Sequence, residues 1–346
     1  MNEPNSESGP PLPIANPDLF DQNKAETIFL DAFNACRLSH AWLLSGVAGI
    51  GKATLAFRIA RFILSSQNSS EEQSNLAIDI NDPICRRIVS GGHADFLCIQ
   101  RSIDEKTNKK RKEITVDEVR GVTSFLSRTP AEGGWRVIVV DNADEMNSNA
   151  ANAILKILEE PPKRAIILLV SNNPSKLLPT IRSRCRRLPL NPLRSNTILK
   201  TLQQYYPQIR HEDLTQLVSL ADGSLGRAIN LVQDGGLDIY REVNSILDTL
   251  PLLDIPRLHQ LGDKLNRAKS DQVFQQTFDI INRWLSKLIK NMALNKESDL
   301  DSWIDLWENT GRLINQTKGL NLDPKQAILN TLLAIQDSAN HLGPKV

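Results

Sequence analysis

His40-Ala-Trp-Leu-Leu44-Ser-Gly46-Val-Ala-Gly49-Ile-Gly51-Lys52 decides how this chain is read. An apolar strand, His40 to Leu44, runs straight into a glycine-rich loop of the form G-x-x-x-x-G-K. Behind the loop, Leu55, Ile59, Phe62 and Ile63 recur at helical spacing, so a helix is expected over Thr54–Leu64. Strand, loop and helix in that order make a phosphate site. The loop's N–H groups and the helix N-terminus both present positive charge to an anion. The candidate nucleotide contacts are therefore Gly46, Gly49, Gly51 and Lys52. The next residue is Ala53, where a Ser or Thr would hold a magnesium ion. Thr54 lies one position on, about 100° around the helix, and is a poor substitute.

Working outward, Lys24–Cys36 reads as an amphipathic helix with Ile28, Phe29, Ala32 and Phe33 on one face. Phe96–Ile99, Val137–Val140 and Ala165–Val170 are short apolar strands without alternation. Helical patterns at Val116–Ser127 and Asn149–Glu160 separate them, the second stopped by Pro161-Pro162. Continuous apolar strands alternating with helices predict a parallel sheet buried on both faces. The glycine loop, Asp141 with Asn142, and Ser171-Asn172 all follow strand C-termini, where an open α/β sheet places its ligand.

Beyond about Pro192 the strand signal stops. Short helices are expected over Thr197–Tyr206, Asp213–Ala221 and Arg227–Gln233, with breaks at Gly223 and Gly235-Gly236. Longer ones follow over Leu258–Arg267, Gln272–Asn291, Leu300–Leu313 and Pro324–Ser338, with Trp303 and Trp307 packing in a core or against another subunit. The expected organisation is a disordered leader (1–17), a P-loop α/β domain (18–190), a small helical lid (191–239) and a helical collar (240–346).

With 346 residues, 40% hydrophobic and 23% charged, the chain has the composition of a globular protein of two or three domains. Its net charge of +1 gives no whole-protein pull toward nucleic acid. The basic run Lys106–Lys112 reads first as a solvated turn between strands. Cys36, Cys85, Cys98 and Cys185 form no C-x-x-C pair, so reduced thiols and no zinc are expected. With no targeting segment and no membrane-length apolar run, the expected location is the cytoplasm.

Three further stretches carry a resemblance: Asp141-Asn-Ala-Asp144-Glu-Met146, Asn152-Ala-Ile-Leu-Lys156-Ile-Leu-Glu159-Glu160-Pro161-Pro162, and Leu178-Pro-Thr-Ile-Arg182-Ser183-Arg184-Cys185. With the lead-in Arg37-Leu-Ser-His40, they resemble the clamp-loader branch of the AAA+ proteins, and within it the delta-prime family of the bacterial DNA polymerase III clamp loader. The resemblance runs from Phe20 to about Gln233 and, more weakly, to Asn321-Leu-Asp-Pro-Lys-Gln326. It implies an AAA+ P-loop parallel-sheet domain, a helical lid and an all-helical collar. It also implies a degenerate site, because the family's general base belongs at Asn142 and an amide cannot accept the proton. Asn172 would orient a γ-phosphate or water. The second-sensor arginine of G-S-x-R is replaced in Gly223-Ser-Leu-Gly226-Arg227. Arg184 would be an arginine finger for a neighbouring subunit's nucleotide. The implied partners are the tau/gamma ATPase subunits and delta in a five-membered ring, with the sliding clamp and primer-template DNA met through the complex. No cofactor is required on this reading, and ATP or ADP binds weakly or not at all. The alternative is an active ATPase motor, with Thr54 and Asp144 or Glu145 standing in for the missing groups.

Overall fold

The structure, a computed structural model, describes residues 9–65, 73–104, 110–268, 271–295, 300–320 and 323–342. Helix α1 (Asn23–Asn34) turns Ala25, Phe29, Leu30 and Ala32 inward and leads to strand β1 (Ala41–Ser45). Then come α2 (Lys52–Ser65), α3 (Pro83–Val89), β2 (Phe96–Ile99), α4 (Val116–Ser127), β3 (Arg136–Val140), α5 (Ser148–Glu159), β4 (Ala165–Ser171), α6 (Pro179–Arg184) and β5 (Arg186–Pro189).

The strands form one five-stranded sheet in the order β2-β3-β4-β1-β5, and every pairing is parallel. All five residues of β3 and all seven of β4 are buried, as strands covered by helices on both faces must be. β1 lies between β4 and β5, with Trp42 opposite Leu168 on one side and Arg186 on the other. This register delivers the glycine loop beyond the sheet's C-terminal edge, beside the ends of β3 and β4. Helices α4 and α5 close one side of the sheet with Val119, Val122, Ala150, Ile154 and Leu158.

Local chemistry fixes the helix starts. Asp82 accepts the Ile84 N–H at 2.7 Å ahead of Pro83 at the head of α3. Asn147 accepts the Ala150 N–H at 3.0 Å at the head of α5. Before α4, Glu118 accepts the Thr115 N–H at 2.8 Å and the Thr115 hydroxyl, a capping box.

The rest of the described chain is helical: α7 (Ser195–Tyr205), α8 (His211–Ala221), α9 (Leu225–Gln233), α10 (Gly236–Leu247), α11 (Ile255–Ala268), α12 (Asp271–Asn295), α13 (Leu300–Leu320) and α14 (Pro324–Leu342). The chain divides into two compact units, Met1–Arg210 with Ala221–Arg227, and His211–Leu220 with Ala228–Val346. The residues expected to form the lid are thus shared between the two. The second unit has its own core, built on Phe278, Leu285, Trp303, Ile328, Leu332 and Ile335.

Four expectations meet a more specific structure. Of the expected leader, residues 1–8 lie outside the described residues, and within 9–17 the Ile14 and Asn16 carbonyls accept from Arg61, 2% exposed, at 2.7 Å each. Strand β5 and helices α3 and α6 are additions that the sequence patterns do not announce. Trp303 is buried against Trp284, with ring centroids 6.5 Å apart, whereas Trp307 is 39% exposed. Residues 106–109 of the basic run lie outside the described residues, while Lys110 bridges antiparallel to Ile103 and Arg111 N–H donates to the Ser102 carbonyl. Most of the polar tract Ser65–Ser74 also lies outside them. Among the described residues no helix is long and apolar enough to cross a membrane, and no His, Cys, Asp and Glu cluster is suited to a metal ion.

Candidate functional site

The glycine loop leaves β1 at Ser45 and ends where α2 begins at Lys52. Gly49 sits at φ +77°, a conformation that L side chains rarely adopt. Lys52, 4% exposed, donates to the Gly46 carbonyl at 2.8 Å and to the Val47 carbonyl. Burial pushes its ammonium down to about 8, against the opposing pull of the Asp144 and Asp141 carboxylates. Ala53 follows with no oxygen to offer. Thr54, one helical step further on, is buried.

Asp141, Asn142 and Asn172 are brought together by the parallel pairing of β3 with β4. Burial raises the Asp141 carboxyl, with the Asn142 N–H and the Lys110, Lys52 and Arg101 cations pulling the other way. Asn142 adopts a left-handed conformation, φ 56° and ψ 54°, which Asn tolerates better than most residues. Its amide oxygen accepts the Asn172 side-chain N–H at 2.7 Å. The two positions are therefore bonded to each other. Asp144 accepts the Asn172 backbone N–H at 2.9 Å, and Glu145 pairs with Arg101 at 2.8 Å. Cys98, on β2, has its thiol pushed up to about 12 by burial and by Asp141.

Arg184 closes α6, away from these groups in sequence and on the surface. Its guanidinium pairs with Glu159 at 3.0 Å and donates to the Thr180 carbonyl at 3.2 Å. The neighbouring Cys185 is buried, its thiol pushed up to about 12. Arg186, by contrast, stacks on the Trp42 ring 4.7 Å from its centroid while remaining exposed.

Sequence reasoning misses three contributors. Gln22, 3% exposed, donates to the Ile50 carbonyl at 3.2 Å and to the Asn191 carbonyl at 2.8 Å. Ser224 donates to the Ala48 carbonyl at 2.8 Å. Glu159 holds Arg184. Gln22 has no motif to betray it, while Ser224 lies in a motif whose conspicuous feature is its missing arginine. A groove of about 810 Å³ between α4 and α5, lined by Arg120, Asn152 and Lys156 among others, contains none of these residues.

A parallel sheet with a glycine-lysine loop after β1, an acid after β3 and an amide after β4 defines an AAA+ P-loop α/β protein. The family model described as "DNA polymerase III, delta subunit" matches residues 21–194, and the chain belongs to that family. A DNA polymerase III subunit delta' of Pseudomonas aeruginosa is 35% identical over 186 residues, 54% of this chain and 53% of that protein. The subunit delta' of Bacillus subtilis is 32% identical over 177 residues, 51% of this chain and 50% of its own length. A DNA polymerase III subunit gamma of Buchnera aphidicola is 30% identical over 230 residues, 65% of this chain and 59% of that protein. The chain spans about half the length of the curated relatives it matches. A solved Thermotoga maritima gamma subunit-related protein is similar at 18% identity and a TM-score of 0.41, covering 89% of this chain and 99% of that one.

Proposed function

We propose that this chain is a non-hydrolysing, delta-prime-type subunit of the DNA polymerase III clamp loader. It sits beside a tau/gamma ATPase subunit in a five-membered ring with delta, and supplies Arg184 as an arginine finger to that neighbour's ATP. Through the complex it supports loading of the sliding clamp on primer-template DNA. The observation that carries this reading is a pairing of opposites. The chain's own site lacks a hydroxyl at Ala53 and a base at Asn142, yet an arginine stands at the surface at the end of α6.

An arginine supplied in trans stabilises charge on the transferring phosphoryl group and raises hydrolysis by roughly three to five orders of magnitude. Reconstituting the loader with Arg184→Ala should lower the neighbour's ATP turnover by at least about a hundredfold and slow clamp loading with it. Normal rates in that complex would rule the assignment out. The rival reading, an active motor, needs Thr54 and Asp144 or Glu145 in new roles. Thr54 is buried, Asp144 is engaged by Asn172 and Glu145 by Arg101, which favours the first reading. Turnover by the isolated chain separates the two, since the proposal expects none. Nucleotide, if it meets the loop at all, binds weakly and without a protein hydroxyl on its metal.

A further inference from the structure

The outer, carbonyl side of the glycine loop is fully engaged by this chain. Lys52 donates to the carbonyls of Gly46 and Val47, Ser224 to Ala48, the Gly226 N–H to Gly49 at 2.9 Å, Gln22 to Ile50, and the Leu55 N–H to Gly51 at 2.9 Å. Two of these six carbonyls are held by the segment that opens α9. That segment is pinned at its other end too, where Leu193 N–H donates to the Gly223 carbonyl at 2.8 Å. Ser224 is 4% exposed and works in both directions, donating to Ala48 and accepting the Arg227 N–H at 3.1 Å.

The approach is close enough to exclude side chains. A Cβ on Gly226 would stand 2.8 Å from the Gly49 Cα, and a Cβ on Gly49 would stand 2.4 Å from Ser224 Oγ and 3.0 Å from the Gly226 Cα. Two glycines face each other here because main chain meets main chain. An arginine at position 226, where the G-S-x-R pattern expects one, is incompatible with this contact. The absent sensor and the close contact are one feature seen from two sides.

We propose that Gly223–Arg227 is a nucleotide-independent latch, a strap of the chain's own backbone seated permanently on the glycine loop. Where a sensor arginine would make the position of this segment depend on bound phosphate, Gly226 makes it depend on Gly49. The segment stays in place with or without nucleotide, and the loop's retained Gly49 serves this docking. The inference concerns the isolated chain and does not rest on the clamp-loader reading.

Hydrogen exchange on the full chain tests it, because the Gly226 amide is protected only while the latch is closed. In the nucleotide-free protein, peptides covering 222–229 should exchange at least tenfold more slowly than in Gly226→Arg. Millimolar Mg-ATP should change the wild-type rates less than twofold. Ser224→Ala, a gentler lesion, should give an intermediate rate with β1, β3 and β4 peptides unchanged, which keeps the test valid if Gly226→Arg fails to fold. Wild-type exchange as fast as that of either variant overturns the latch. So does a tenfold slowing of the wild type by Mg-ATP, which would make the segment nucleotide-gated.

Discussion

At the scale of single residues, the position after Asp141 shows why the site's degeneracy is structural as well as chemical. Asn142 holds left-handed dihedrals, and its side-chain oxygen is bonded to Asn172. Asn and Asp visit that region readily, whereas a longer carboxylate side chain is strained there by roughly 1 kcal/mol. Asn142→Glu, which restores the family's acid, should therefore destabilise the chain by about 1 kcal/mol in urea unfolding, and Asn142→Asp by clearly less. Neither should confer ATP turnover, because Ala53 still offers no hydroxyl to a metal ion. A working ATPase from Asn142→Glu alone would show that the metal ligand is not the missing element. The departure at Ala53 is legible in the sequence from the spacing of the glycine-lysine motif, and the one at Asn142 from the family resemblance. The Asn142–Asn172 bond is not legible there. It depends on β3 and β4 lying side by side, and pairing between strands distant in sequence leaves no local mark.

Elements divide in the same way. β1, β3 and β4 announce themselves because strands buried on both faces must be apolar throughout. β5 does not, since in Arg186-Arg-Leu-Pro189 only Leu188 is buried and the strand lies at the sheet edge, held by β1 and by the stacking of Arg186 on Trp42. The break expected at Gly235-Gly236 stands between α9 and α10: Gly235 takes the left-handed turn and Gly236 opens α10 hard against Leu231. Helix α4 matches its expected bounds to the residue, and its capping box gives a pH prediction. Burial tends to raise the Glu118 carboxyl, but hydrogen bonds from Ser102, at 2.6 Å, and from Thr115 win and hold it down at about 2, below its ordinary 4.5. Because the folded-state value is depressed, the stabilisation is complete above about pH 4.5 and fades as pH falls toward 2. Glu118→Gln should flatten that part of the stability–pH curve, measured by urea midpoints between pH 2 and 5. Thr115→Ala should cost about 1 kcal/mol at neutral pH. Equal slopes in the wild type and Glu118→Gln would mean that the box does not hold the carboxylate.

For the whole molecule, the decisive fact is that apolar clusters stay within one compact unit each, one of them against the sheet and another among the C-terminal helices. The cluster under the sheet draws on residues from Ala41 to Cys185, and the helical cluster on residues from Val243 to Ala339. Each belongs to one compact unit of the chain. The sequence signals this change of architecture through the loss of strand patterns after Pro192. It does not show where the units divide, since α8 and α9 have similar amphipathic patterns and each contributes residues to both. A lesion in one core should therefore leave the other core's stability nearly unchanged, because hydrophobic stabilisation comes from atoms in contact. Trp303 is the sharpest probe: 1% exposed, packed on Trp284, and far in sequence from Trp42 on β1. Trp303→Ala should cost the helical unit about 3–5 kcal/mol through the cavity it leaves. Denaturant-dependent hydrogen exchange should show peptides from α12, α13 and α14 opening earlier, while β1, β3 and β4 keep their wild-type free energies. If the strand peptides lose as much as the helices, the two cores unfold as one cooperative body. The latch on the glycine loop would then share in the stability of the helical unit.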